Sequence, residues 1–236
     1  KHYYIFESDS DKEFEDTVFP SGEMEIIFNL GDGIWESLVD QTFYKTPKIE
    51  LWGQITKPLA IKSKGKHTML GIRFYTHTAA YFFKDDIGIF NNQIFDLEDI
   101  IGNPIKHLHD QLLETSDIKK RIELIETFLI QKIITNDKIS DKIEKVAHIL
   151  SSLLNDPTES NINSISVKYG ITPRYLHKLV FQHTGLAPKA FNKIRIVSTS
   201  GLVSVLGSLR VHYAYSKLDS DNDGVLDVIE NEGKDS

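Results

Sequence analysis

The chain has 236 residues, of ordinary globular composition with 40% hydrophobic and 26% charged residues, and can bury one large core or two small ones, which excludes disordered, collagen-like and rod-like classes. It contains no cysteine, so disulfide frameworks, thiolate zinc sites, iron–sulfur clusters and cysteine nucleophiles are excluded and a reducing, cytoplasmic setting fits. With 27 Lys and Arg against 34 Asp and Glu the net charge is −7, and no apolar run approaches the roughly 20 residues of a membrane span.

The chain opens on Lys1, as a trimmed chain or a fragment of a longer reading frame would. Between Phe19 and Phe83 the signals are those of β-structure. Met24 to Leu30, Leu51 to Ile55 and Thr68 to Phe74 are short apolar or alternating runs, punctuated by Gly31-Asp32-Gly33, Lys57-Pro58 and Gly65. Such spacing predicts a small β-barrel or sandwich over residues 1–103. Strand composition does not tell a barrel that holds a ligand from one filled by its own side chains. The histidines do not gather as metal ligands: His67 and His77 lie ten residues apart. His107 and His109 fall where the pattern turns helical, and helical residues two apart point about 200° away from one another. No nucleophile elbow, phosphate loop or dinucleotide fingerprint occurs, so no catalytic residue is nominated, no enzyme activity is expected and no cofactor is required.

After Asn103-Pro104 the period lengthens toward that of a helix. Ile105, Leu108, Leu112 and Leu113 form one stripe; Ile118, Ile122, Ile125, Leu129 and Ile133 form a second. The second stripe suits either the core of its own chain or a second copy in a homodimer. A further helix is expected from Asp141 through Val146, Ile149, Leu150, Leu153 and Leu154. It should stop near Asn155-Asp156-Pro157, because proline disfavours helical geometry in the residue before it. Residues 104–157 are thus read as a helical linker and dimerisation region.

Charge changes abruptly beyond this point. From Asn161 to Lys217 there are eight basic residues and no acidic one, and the tail from Leu218 carries −6, which leaves −9 for everything before Asn161. A basic block without acidic relief is the footprint of phosphate contact. Within it, Ile162, Ile165 and Ser166 give the buried face of a short helix, Gly170 a turn, Thr172 an N-cap and Pro173 the first residue of a second helix. Leu176, Leu179 and Val180 would face inward. Arg174, Tyr175, His177, Lys178 and Gln182 would face outward or sideways. In a helix-turn-helix the second helix enters the major groove by its N-terminal end, where Arg or Lys pairs with guanine.

The run from Ile165-Ser166 through Gly170-Ile171-Thr172-Pro173-Arg174-Tyr175-Leu176 to Gly185-Leu186-Ala187-Pro188-Lys189 and Ile194-Arg195 resembles the first helix-turn-helix of AraC/XylS-type transcriptional regulators. Ser166 stands where that family has alanine, Ala187 where it has serine, and Val180-Phe181 shifts its phenylalanine by one place. Upstream, FPSGEMEIIFNLGD and LWGQITKPLAIKSKGKHTMLGIRF resemble the cupin-like sensor half of some members. The resemblance implies an α+β protein: a cupin-like β-barrel over 1–103, the linker, and an all-α helix-turn-helix domain over 158–197. It implies base contacts by Arg174, Tyr175, His177 and Lys178, and phosphate contacts by Lys168, Thr172, Gln182, Lys189, Lys193 and Arg195. Its partners are double-stranded DNA, a small-molecule effector and a second copy of the chain, with no membrane. The family's second helix-turn-helix is not recognisable in Val197 to Lys217, so residues 198–236 are an atypical segment.

That segment ends in Asp219-Ser220-Asp221-Asn222-Asp223-Gly224-Val225-Leu226-Asp227-Val228-Ile229-Glu230, which fits the calcium-loop pattern D-x-D-x-D-G-x₅-E. Asp219, Asp221, Asp223, Asp227 and Glu230 would supply side-chain oxygens and Val225 a backbone carbonyl, with glycine at the sharp turn. A solvated acidic tail, or a junction between unrelated reading frames, accounts for the same residues. Two functions follow: a sequence-specific DNA-binding regulator with an N-terminal sensing domain, or a ligand- or calcium-binding interaction protein with a truncated, non-reading helix-turn-helix.

Overall fold

The computed structural model describes residues 2–9, 12–75, 77–83, 86–134, 143–155, 162–191 and 210–214. Its strands form two antiparallel sheets. The larger has the order β10 (Arg210–Ala214), β1 (His2–Ser8), β8 (His67–Phe74), β3 (Met24–Asn29), β6 (Ile49–Trp52) and β9 (Ile94–Asp96). The smaller has the order β2 (Phe14–Val18), β7 (Leu59–Lys64), β4 (Ile34–Val39) and β5 (Thr42–Lys45).

Period-two alternation sorts the side chains of the larger sheet onto two faces. Met24, Ile26 and Phe28 of β3 and Leu70, Ile72 and Phe74 of β8 join the core that faces the helices, while Ile27 and Met69 face the smaller sheet with Phe6, Trp52, Ile55 and Ile61. The expected cupin-like barrel is corrected here: the architecture is mixed α and β, and the sheets do not close on each other. Strand pairing stays within each sheet among the described residues. Between the sheets stand rings such as Phe6 and Trp35, 5.6 Å apart, and Phe14 and Trp35, 5.8 Å apart. Sheets held apart by side chains sit about 10 Å from each other, twice the separation of hydrogen-bonded strands.

Helices α1 (Ala79–Phe82), α2 (Leu97–Ile101), α3 (Asn103–Glu114) and α4 (Ile118–Ile134) cover the other face of the larger sheet. The α3 stripe buries Ile105, Leu108 and Leu112, but Leu113 is 49% exposed, one step off the buried face. On α4, Ile125 and Leu129 are buried, and Ile118, Ile122 and Ile133 pack against the same core. The α4 stripe therefore faces its own chain. Arg121 Nε donates to the Leu112 carbonyl at 3.1 Å, and Tyr3 Oη donates to Glu126 at 3.4 Å, fixing α4 to α3 and β1. No described helix is long and apolar enough to cross a membrane.

Two buried histidines meet protein partners. His67 Nε2 lies 2.6 Å from Ser63 Oγ, and buried His109 Nε2 lies 2.8 Å from the Asn29 carbonyl. Glu50 on β6 is 1% exposed and faces the smaller sheet; it accepts from Thr46 Oγ1 at 2.7 Å and from Trp52 Nε1 at 2.5 Å. Burial pushes its carboxyl up to about 7, against the two hydrogen bonds that favour the charged form.

Helix α5 (Ile143–Asn155) packs elsewhere. Its Val146, Ile149, Leu150 and Leu153 form a separate apolar cluster with α6 (Ile162–Tyr169) and α7 (Pro173–Thr184). Of the helical stretch read from sequence as one linker, α3 and α4 thus lie on the sheet, and α5 lies on the helices that follow it.

Candidate nucleic-acid interface

Two short helices joined by a turn carry Lys168, Arg174 and Lys178, three of the eight cations of the basic block, all exposed. Helix α6 ends where Gly170 takes a φ of +61°, a left-handed conformation that side chains with a Cβ disfavour. Gly170 N donates to the Val167 carbonyl at 3.2 Å and Ile171 N to the Ser166 carbonyl at 2.9 Å. This is the Schellman pair of bonds that satisfies the last carbonyls of a helix and reverses the chain. Two residues later Thr172, in extended conformation, accepts at Oγ1 from Tyr175 N at 3.2 Å, and Pro173 fills the first helical position. Helix stop and helix start lie within four residues, which keeps α6 and α7 close.

Their inner faces are apolar. Ile165 is fully buried on α6, as are Leu176 and Val180 on α7, and Leu179 is 5% exposed; α5 and Phe191 complete the cluster. Tyr169 Oη shares a hydrogen bond with Ser152 at 2.6 Å and donates to the His148 carbonyl at 3.0 Å, tying α6 to α5. Ser166 is 2% exposed with no partner for its hydroxyl among the described residues, at the place where a small residue lets α6 approach its neighbours. The far end of α7 is capped by Gly185 at φ +65°, whose N donates to the Phe181 carbonyl at 2.7 Å.

With its inner face fixed in this way, α7 presents the outer face of residues 173–182 to solvent. Arg174, His177, Lys178 and Phe181 follow the i, i+3, i+4, i+7 rule and form one stripe, flanked by Tyr175 and Gln182; all six are exposed. Together with Ile162 and Pro173, five of them, all but Tyr175, line a shallow depression of about 700 Å³. The structure therefore brings Arg174, Tyr175, His177, Lys178 and Gln182 together on one helix. Thr172 is used as the cap. Lys168 is exposed on the last turn of α6, its Nζ 5.7 Å from the Tyr169 ring centre, and Lys189 is exposed beyond the α7 cap. Lys193 and Arg195 lie outside the described residues, as do the calcium-loop residues Asp219, Asp221, Asp223, Val225, Asp227 and Glu230. Among the described residues no cluster of three or more histidines and carboxylates is placed to hold a metal ion.

Two exposed apolar residues on these helices were not singled out from the sequence, and one of them, Phe181, lines the depression. Phe181 is 45% exposed while its neighbour Val180 is fully buried, and Val167 on α6 is 82% exposed. The signal for Phe181 was available in the helical period, which places it three residues beyond Lys178 and seven beyond Arg174.

A family model described as a domain of unknown function (DUF6597) matches residues 1–96. No curated protein matches the chain. Among solved structures, the chain is similar to unsaturated fatty acid-bound wild-type ToxT from Vibrio cholerae strain SCE256, with 12% identity, a TM-score of 0.40, and 83% of this chain and 78% of that one covered. It is similar to an apo variant of ToxT from the same strain, with 9% identity, a TM-score of 0.39 and coverages of 83% and 79%. The AraC-like transcriptional activator CuxR is a third, with 13% identity, a TM-score of 0.32 and coverages of 80% and 74%.

Proposed function

We propose that this chain is a sequence-specific DNA-binding transcriptional regulator of the AraC type, working in the cytoplasm, with α6, the Gly170 turn and α7 as its helix-turn-helix. One observation carries the reading. A capped helix with Leu176, Leu179 and Val180 buried at its back presents Arg174, His177 and Lys178 on a single exposed stripe, inside a segment that holds eight cations and no acidic residue. On such a helix the N-terminal turn enters the major groove, and Arg174 reaches base edges there first. Tyr175, His177 and Lys178 follow on adjacent bases. Lys168, Thr172, Gln182 and Lys189 stand at the flanks, and together with Lys193 and Arg195 they hold phosphates. The sheets and α1–α4 serve as the sensing half for a small-molecule effector, and a second copy of the chain supplies a second reading helix.

A single helix-turn-helix makes few contacts, and each good bidentate base pair is worth about 1–3 kcal/mol. The test is selection from a duplex pool of randomised sequence across a salt series. Enrichment of one short motif with a steep fall in affinity as salt rises supports the reading. Arg174→Ala should then weaken the selected duplex by about 1–3 kcal/mol and relax preference at one base. Salt-dependent binding without enrichment refutes sequence reading and leaves the block as a phosphate grip.

A further inference from the structure

The C-terminal end of α7 does not stand free of the sheet-bearing half. It is seated on the 3-10 turn Ile87–Phe90 and on Asn91. A Cβ added to Gly185 would overlap the Cα and N of Gly88, and one added to Gly88 would lie 3.3 Å from the Gly185 Cα. Two backbones thus approach closely: only glycine fits at 185, and at 88 even a single added carbon crowds the contact. Asn91 Nδ2 donates to the Thr184 carbonyl at 3.4 Å and to the Gly185 carbonyl at 3.3 Å. These are carbonyls at the α7 terminus, which the helix itself leaves without partners. Beside them Tyr81 Oη lies 3.1 Å from His183 Nε2, with the rings 5.5 Å apart; His183 Nδ1 donates to the Leu179 carbonyl at 2.9 Å, so in the neutral ring Nε2 accepts from the tyrosine.

The other side of the same turn is fastened to the larger sheet. Asn92 N donates to the Gln54 carbonyl at 2.9 Å, Gly53 N to the Gln93 carbonyl at 3.1 Å, and both Thr56 N and Thr56 Oγ1 to Asn92 Oδ1 at 2.7 and 2.8 Å. A side chain at Gly53 would overlap the Phe90 carbonyl. One short turn therefore touches the end of β6 on one side and the end of α7 on the other.

We infer that the turn from Ile87 to Asn92 is the seat that fixes the direction of α7 relative to the sheets, with Gly88, Asn91 and Tyr81 as positioning residues for the reading helix. This rests on the DNA-reading role proposed above. The seat holds the C-terminal end of α7 and leaves the N-terminal turn with Arg174 open, so it orients the reading stripe without covering it. A displacement at the end of β6 would reach the helix through a contact between two backbones, which has no side chain to absorb it.

The test uses the full chain and two variants on the sheet side of the contact, where α7 keeps its own cap. Gly88→Val crowds the seat, and Asn91→Ala removes only the two bonds to Thr184 and Gly185, which keeps a second variant available should the first not fold. Amide exchange of residues 183–186 reads the contact, and binding to the randomised duplex pool reads its consequence, with Arg174→Ala in the same titration. Both variants should lose protection at 183–186 and weaken binding by about fivefold or more, the usual scale of coupling between sites, while the apolar cores melt as before. Unchanged protection overturns the seat. Lost protection with affinity unchanged overturns its positioning role, and tighter binding does so too, because the contact would then restrain the helix. If Arg174→Ala leaves binding unchanged as well, the failure lies in the DNA-reading role, and the inference falls with it.

Discussion

Replacing Glu50 by Gln should make the sheet-bearing half more stable at pH 8 and leave it nearly unchanged at pH 4. Glu50 is 1% exposed, and its only hydrogen-bond donors among the described residues are Thr46 Oγ1 and Trp52 Nε1. Burial raises its carboxyl from the ordinary 4.5 to about 7, with the charge of Glu25 adding a smaller push in the same direction. Between those values the folded chain holds a proton that the unfolded chain has released. Stability therefore falls as pH rises through this window, is undiminished below the unfolded value and has lost its full share above the folded one. A shift of this size corresponds to about 3 kcal/mol. Glutamine carries no charge and keeps both contacts: its carbonyl accepts from Trp52, and its amide donates to Thr46, whose hydroxyl can turn to the Trp35 carbonyl at 3.4 Å. Urea unfolding followed by tryptophan fluorescence measures this half selectively, since the two tryptophans, Trp35 and Trp52, both stand in it. The stability gap between variant and wild type should open from near zero at pH 4 to about 3 kcal/mol at pH 8. A gap that stays constant across that range would falsify the assignment of the titration to Glu50.

The helical half offers two further checks, both read as shifts in its thermal transition by far-ultraviolet circular dichroism. Ser166→Ala removes a buried hydroxyl that has no partner among the described residues and should stabilise by about 1 kcal/mol; destabilisation would mean that the hydroxyl is bonded. Thr172→Ala removes the cap over Tyr175 N and should cost about 1 kcal/mol, and no loss would mean that α7 starts equally well without it.

The parts legible in the sequence were those written by local rules. Gly170, Thr172 and Pro173 each have a conformational reason to stand where they do, and the helix they start buries Leu176, Leu179 and Val180 as its period predicts. Likewise the alternation of β3 and β8 announces strands. What a strand pattern cannot announce is closure: Met24, Ile26 and Phe28 would alternate identically in a barrel wall and in a sheet facing helices, and only pairing with partners distant in the chain decides. The same limit hid the destination of α5, whose apolar stripe is as suitable for the sheet as for α6 and α7.

The seat under α7 was illegible for a different reason. Gly88, Asn91 and Gly185 are ordinary turn residues by any local rule, and their meeting joins positions more than ninety residues apart. Periodicity reports what an element buries, but not the point where two finished units touch, and such a contact needs only a few atoms when both sides are backbone. Glycine at 185 is already required by the left-handed cap of α7, so the sequence holds one visible reason for it and conceals the second. The two reasons can be separated at the partner position: Gly88 takes no part in the cap of α7, and although a side chain there also nears the Asp86 carboxylate that caps its own turn, it reaches α7 only through the contact.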